Sequence, residues 1–186
     1  MISKITISGE VASGKTTVGR ELAEQLNYDF ISLGEIIRER AALESLSIVD
    51  FQKKCQVTCE MDKEIDRAFA SRCNAGANLI IDYRMGFLFV SDAYHVFLKI
   101  SEEFAIERLK IANRKNETYQ TVRERNNSFK NQFLSAYNTD YTASSNFDLV
   151  INIDQTITVK QIVQTIINQV NIKNNEKQNH TNTEPG

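Results

Sequence analysis

Eight consecutive residues, Gly9-Glu10-Val11-Ala12-Ser13-Gly14-Lys15-Thr16, have the spacing G-x-x-x-x-G-K-[ST]. Their chemistry is phosphate binding. Backbone N–H groups of such a loop curl around a polyphosphate, and the helix that follows adds partial positive charge at its N-terminus. Lys15 would reach the outer phosphates, and the Thr16 hydroxyl would bind Mg²⁺.

A second set of residues would decide the fate of that phosphate. Asp82 closes a short apolar run and is followed by Tyr83 and Arg84. An acid beside a phosphate loop is placed to hold Mg²⁺ or its water. Arg38 and Arg84 would flank a second pocket, and two guanidinium forks facing one cavity suit a dianionic phosphate. Arg108, Arg114 and Arg125 surround a polar break at Lys115–Thr118. An arginine-bearing segment that closes there would stabilise a transferring phosphoryl group and exclude water. One triphosphate site, one monophosphate site and a closing lid describe a kinase of a small phosphorylated acceptor. Each of these arginines also fits a plain solvated helix face.

These groups need elements to position them. The stretch with Ile2, Ile5 and Ile7 predicts a strand over Ile2–Ser8 that ends at the loop, and Lys15–Leu26 predicts the helix leaving it. A short strand is predicted over Asp29–Ser32. Ser32-Leu33-Gly34-Glu35 has the pattern of a capping box, Ser32 as N-cap and Glu35 reaching back, and opens a helix to about Ala42. Helices follow at Ile48–Val57 and Glu60–Cys73, the latter ended by Asn74-Ala75-Gly76. Strands at Asn78–Asp82, Tyr94–Ile100 and Phe147–Ile153 alternate with helices from Ser101 to about Asn113, over Tyr119–Tyr137 and over Val159–Val170. The alternation predicts an α/β fold, a three-layer parallel sheet with helices on both faces, and ligands at the C-terminal ends of the strands. No repeat or second domain is evident. Residues 1–172 form the expected domain, and the polar tail over 173–186 is expected to be disordered.

Composition narrows the partners. With 186 residues and a net charge of −2 of mixed sign, bulk electrostatics do not favour nucleic acid or an anionic membrane. No apolar stretch has membrane length, and Met1 leads straight into a core strand rather than a signal peptide. Cys55 and Cys59 could share a helix face, but no second pair completes a zinc site, so these two and Cys73 read as thiols in a reducing cytosol. His95 sits in an apolar run and reads as structural. A cytoplasmic monomer is expected.

The motifs in their order resemble the cytidylate kinases, specifically the archaeal-type branch of the P-loop nucleoside monophosphate kinases. The resemblance spans about Met1 to Val170. It is carried by Gly9–Thr17, Ser32-Leu33-Gly34-Glu35-Ile36-Ile37-Arg38-Glu39, Asp62-Lys63-Glu64-Ile65-Asp66-Arg67, Asp82-Tyr83-Arg84 and Phe147-Asp148-Leu149-Val150-Ile151-Asn152. It implies a P-loop NTPase fold with a short lid near 114–125 and acceptor-binding helices over about 33–75. It implies Mg-ATP as donor, held by Gly9 through Thr17, and CMP or dCMP as acceptor. It places Ser32, Arg38 and Arg84 on the acceptor phosphate and Asp62, Asp66 and Arg67 beside the acceptor. Asp66 is the expected base contact, because a carboxylate accepts from the cytosine amino group. Arg114 and Arg125 would be lid residues, with Lys15, Arg84, Arg114 and Arg125 serving the transfer and Thr16 and Asp82 the metal. The residues Asp62, Glu64, Asp66 and Arg67 equally fit an exposed helix face with i, i+4 pairs.

The chain also departs from that pattern. Tyr83 stands where relatives carry glycine, and a bulky residue there would narrow the acceptor pocket. Gln132 stands where the family carries a second lid arginine, with Lys130 nearby as a point charge rather than a fork. The phosphate loop has Glu10, Val11 and Ala12 in place of the usual proline and extra glycine. These departures leave open a nucleotide-binding sensor or partner module with little transfer activity, and a P-loop kinase of another small acceptor such as a sugar or shikimate.

Overall fold

The computed structural model describes residues 1–46, 59–111 and 118–181, without the side chains at 59–62, 180 and 181. Its elements are β1 (Lys4–Gly9), α1 (Lys15–Leu26), β2 (Asp29–Ser32), α2 (Leu33–Leu43), α3 (Cys59–Ala75), β3 (Leu79–Asp82), α4 (Gly86–Phe89), β4 (Tyr94–Ile100), α5 (Glu102–Ile111), α6 (Tyr119–Tyr137), β5 (Leu149–Ile153) and α7 (Val159–Thr181). The strands form one parallel sheet in the order β2-β3-β1-β4-β5. Residues Ile48–Val57, read from sequence as a helix, lie outside the described residues.

The near-continuous apolar strands follow from burial on both faces. Ile5, Ile7, Ile80, Val96 and Leu98 project to one side, onto α1, α5 and α7. Their neighbours Leu79, Ile81 and Phe97 project to the other, onto Phe69 and Cys73 of α3 and Phe133 of α6. The switch of side at every residue is the period-2 pleat of a strand. Ile80 is wholly buried, and truncating such a side chain to alanine costs about 2–5 kcal/mol.

Local signals set the element ends. α1 stops at Asn27, a left-handed residue with φ 54°, the conformation asparagine tolerates better than other non-glycine residues. α6 starts at Thr118, whose side chain accepts from the Thr121 amide while Thr121 answers with its own hydroxyl oxygen. The expected capping box at Ser32 is only half formed. Ser32 accepts from the Glu35 amide, but the Glu35 carboxylate turns outward to Arg20 at 2.6 Å.

The last helix corrects the sequence reading. It continues through Thr181 instead of ending at Val170, so Lys173 to Thr181 is helical rather than disordered. Ile162, Val163, Ile166 and Val170 bury its first part. Beyond them the Asn174 side chain accepts the Ile2 amide at 2.7 Å and ties the helix to the chain start. His95 is structural as read. Its Nδ1 shares a 2.7 Å hydrogen bond with Thr6 Oγ1, and burial lowers its pKa.

Candidate functional site

Strand register assembles the site. Ile7 of β1 lies opposite Asp82 of β3, and Ser32 of β2 lies opposite the same Asp82. The loop after β1, the acid ending β3 and the helix opening after β2 therefore meet at one edge. The Thr16 hydroxyl donates to Asp82 Oδ2 at 2.7 Å, and the Ser32 hydroxyl donates to the same oxygen at 3.3 Å.

The loop conformation needs its glycines. A Cβ on Gly9 would fall 2.5 Å from the Leu98 carbonyl oxygen. Gly14 has φ +91°, and a Cβ there would meet the Arg108 guanidinium at 2.9 Å. Ala12 takes a left-handed φ of 64° without being glycine, which costs an L-residue about 1–2 kcal/mol. The other departures in the loop are absorbed by the fold. Val11 is buried in the core, and the Glu10 carboxylate accepts the Ile100 amide at 2.9 Å. The Val11 amide donates to Asn126 Oδ1 of α6 at 3.0 Å. The Arg108 guanidinium donates to the Ser13 carbonyl at 3.3 Å. Thr17 is exposed on the first turn of α1.

Lys15 folds back over the loop, donating to the carbonyls of Gly9 at 3.0 Å and Glu10 at 2.7 Å. Burial, then the neighbouring Arg84 cation, brings its pKa down to about 7. Arg125 also disfavours charge on Lys15 and on Arg84, so the exposed Arg125 faces this edge. The Arg84 guanidinium lies over the Phe129 ring of α6, 4.0 Å from its centroid. Burial lowers the pKa of Arg84 as well. Three basic groups, with the carboxylates of Asp82 and Glu10 beside Lys15, thus converge where a polyphosphate would bind.

The acceptor-side residues divide. Asp66 is buried, and its two oxygens accept from Tyr83 at 2.7 Å and Tyr137 at 2.5 Å. Burial raises its pKa, against the pull of those two bonds. A base contact by Asp66 would have to share a carboxylate already engaged twice. Tyr83, expected from the sequence to narrow the acceptor pocket, is buried with its hydroxyl on Asp66. It is buried edge-on to Phe69 at 5.2 Å and stacked on Phe89 at 6.2 Å, because the aromatic residues around it offer more buried contact than the open edge does. Arg38 and Arg67 are exposed, with the Arg38 guanidinium beside the Gly34 backbone. Arg114 and the Asp62 side chain lie outside the described residues. Lys130, the point charge near the missing lid arginine, pairs with Asp140 at 2.8 Å on the surface.

Residues missed from sequence include Asn126, Phe129 and Tyr141. Asn126 directly follows Arg125, which is the sole sequence hint that this helix turn reaches the loop. A divalent cation fits the Thr16–Asp82 pair. Among the described residues no cluster of three or more acidic, histidine or cysteine side chains could cage a metal. A cation here would take few protein oxygens and complete its shell from phosphate and water, the usual manner of Mg²⁺.

Comparison with known proteins agrees with this architecture. The model of the Cytidylate kinase-like family matches residues 4–155. A cytidylate kinase of Sulfurisphaera tokodaii is 34% identical over 176 residues, covering 91% of this chain and 98% of that protein. An S-adenosylmethionine-dependent nucleotide dehydratase of Lacinutrix mariniflava is 42% identical over 170 residues. That match covers 90% of this chain, but the chain spans only 36% of the dehydratase's length. A shikimate kinase from Acinetobacter baumannii in complex with shikimate superposes with a TM-score of 0.64 at 19% identity, over 94% of this chain and 95% of that one. At that identity the likeness is one of fold. No helix among the described residues is long and apolar enough to cross a membrane.

Proposed function

The chain belongs to the cytidylate kinase-like family, and from that premise we propose that it transfers a phosphoryl group from ATP to a pyrimidine nucleoside monophosphate, CMP or dCMP. The observation that carries this reading is the convergence of Lys15, Arg84 and Arg125 beside the Thr16–Asp82 pair. Loop amides and Lys15 would hold the donor phosphates. Arg84, with Arg38 and Ser32, would hold the acceptor phosphate, and Arg125 would neutralise charge on the group in flight. Bound Mg²⁺ would supply further charge neutralisation on the phosphate oxygens. The residues position and stabilise, and no covalent intermediate is needed. Asp66 would shape the acceptor wall through Tyr83 and Tyr137.

A coupled assay with ATP and each of the four ribonucleoside monophosphates tests the proposal. CMP as the best acceptor supports it. Transfer to none of the four overturns it in favour of a nucleotide-binding module, and phosphorylation of shikimate or a sugar instead would mean a kinase of another acceptor.

The likeness to a longer nucleotide dehydratase favours a second reading, in which the nucleotide phosphorylated here supplies a nucleotide-dehydrating reaction. Consumption of this chain's product by an S-adenosylmethionine-dependent dehydratase, in a two-enzyme assay, supports that reading. Failure of the dehydratase to use the diphosphate formed here would sink it.

A further inference from the structure

Arg84 has no carboxylate partner among the described residues. One face of its guanidinium is covered by Phe129, and its Nε is buried without a hydrogen bond among the described residues. Tyr141 is wholly enclosed, and among the described residues its hydroxyl has no hydrogen-bonding group beside it other than the Arg84 guanidinium. The two are neighbours: the tyrosine hydroxyl lies within side-chain hydrogen-bonding reach of the guanidinium and, like the more distant Asp82 carboxylate, favours its charged form. The Tyr141 ring is fixed edge-on to Phe133 at 5.4 Å and tilted against Phe97 at 6.4 Å. Phe133 in turn stacks with Phe129 at 6.2 Å.

A phenylalanine at 141 would fill the same space without burying a hydroxyl, which is unfavourable unless the hydroxyl contacts a polar group. A carboxylate in that place would neutralise Arg84 and compete with an incoming phosphate. A tyrosine hydroxyl does neither. It presents an oxygen dipole to the cation while leaving the net charge unspent, as the π face of Phe129 does on its own side. We propose that Tyr141 is a positioning residue, which with Phe129 cradles Arg84 as a cation with no paired carboxylate among the described residues, aimed at the acceptor phosphate. The proposal rests on the kinase reading for its substrate but not for the contact itself.

The test is a double-mutant cycle between Tyr141→Phe and Arg84→Ala. With CMP as acceptor, Tyr141→Phe should lower kcat/KM for the acceptor about tenfold, a typical effect of losing one polar contact to a charged group, and leave the KM for ATP unchanged. In the Arg84→Ala background the same change should cost nothing further. An equal loss in both backgrounds, or no loss in either, overturns the proposal, because a merely structural tyrosine acts regardless of Arg84. If the unaltered chain phosphorylates no monophosphate, the kinase reading fails separately. The cradle is then judged by urea unfolding of the same four proteins. Non-additive shifts of the midpoint support it, and additive ones overturn it.

Discussion

Asn126 on α6 accepts the backbone amide of Val11 in the phosphate loop at 3.0 Å. The neighbouring Arg125 therefore rides on a helix that is already pinned to the loop it would serve. Removing the acceptor strands a buried N–H, which costs about 1–3 kcal/mol. Asn126→Ala should lower Tm by a few degrees, roughly 2–4 °C per kcal/mol at this size. It should also raise the KM for ATP, since the loop loses its brace. Thermal melts and donor kinetics check both effects, and an unchanged Tm would show that water replaces the asparagine.

Lys15 should exchange a proton when a polyphosphate binds. In the free protein its pKa is lowered to about 7, so at pH 8 the amine is largely neutral. A bound anion favours the charged form and raises the pKa. Calorimetric titration of ATP at pH 8, in two buffers of different ionisation heat, should show uptake approaching one proton. At pH 6 the uptake should vanish. Lys15→Met should abolish the uptake and lower turnover about 10²–10³-fold with no loss of fold.

Asp66 should make stability fall as pH rises. Its folded pKa lies above the ordinary carboxylate value because of burial, so the native state holds a proton that the unfolded chain releases. Between the unfolded pKa of about 4 and the folded one, stability declines with pH. Asp66→Asn should remove that slope. Asp66→Leu orphans two tyrosine hydroxyls, at about 1–3 kcal/mol each. Urea unfolding from pH 4 to 8 measures all three proteins, and equal pH slopes in the unaltered chain and Asp66→Asn would contradict the assignment, because the opposing slopes from Asp140, Asp154 and His95 are common to both.

The end of α7 should contribute to stability. Asn174 accepts the Ile2 amide beside the first strand, a bond worth about 0.5–1.5 kcal/mol. Asn174→Ala, and truncation after Asn171, should each lower the urea midpoint by a similar small amount. Wild-type behaviour of the truncated chain would mean that the polar segment beyond Val170 is dispensable after all.

The sequence by itself determined the phosphate loop, the strand and helix order and most element bounds. α1, β2, β4 and α6 run over the residues predicted for them, because local periodicity, caps and glycines carry that information along the chain. Sheet order and register belong to tertiary structure. Asp82 meets Thr16 and Ser32 only because β3 lies between β1 and β2. The destinations of the long polar side chains were likewise decided in space. The family resemblance placed Tyr83 and Lys130 near the site, and the fold brings one to buried Asp66 and the other to Asp140. Asn126 and Tyr141 belong to no motif and reach the loop and Arg84 from distant segments. A side chain settles where desolvation is best compensated, and its partners lie tens of residues away in the chain. No local pattern encodes that choice, and so the loop was legible in the sequence while the surroundings of Arg84 were not.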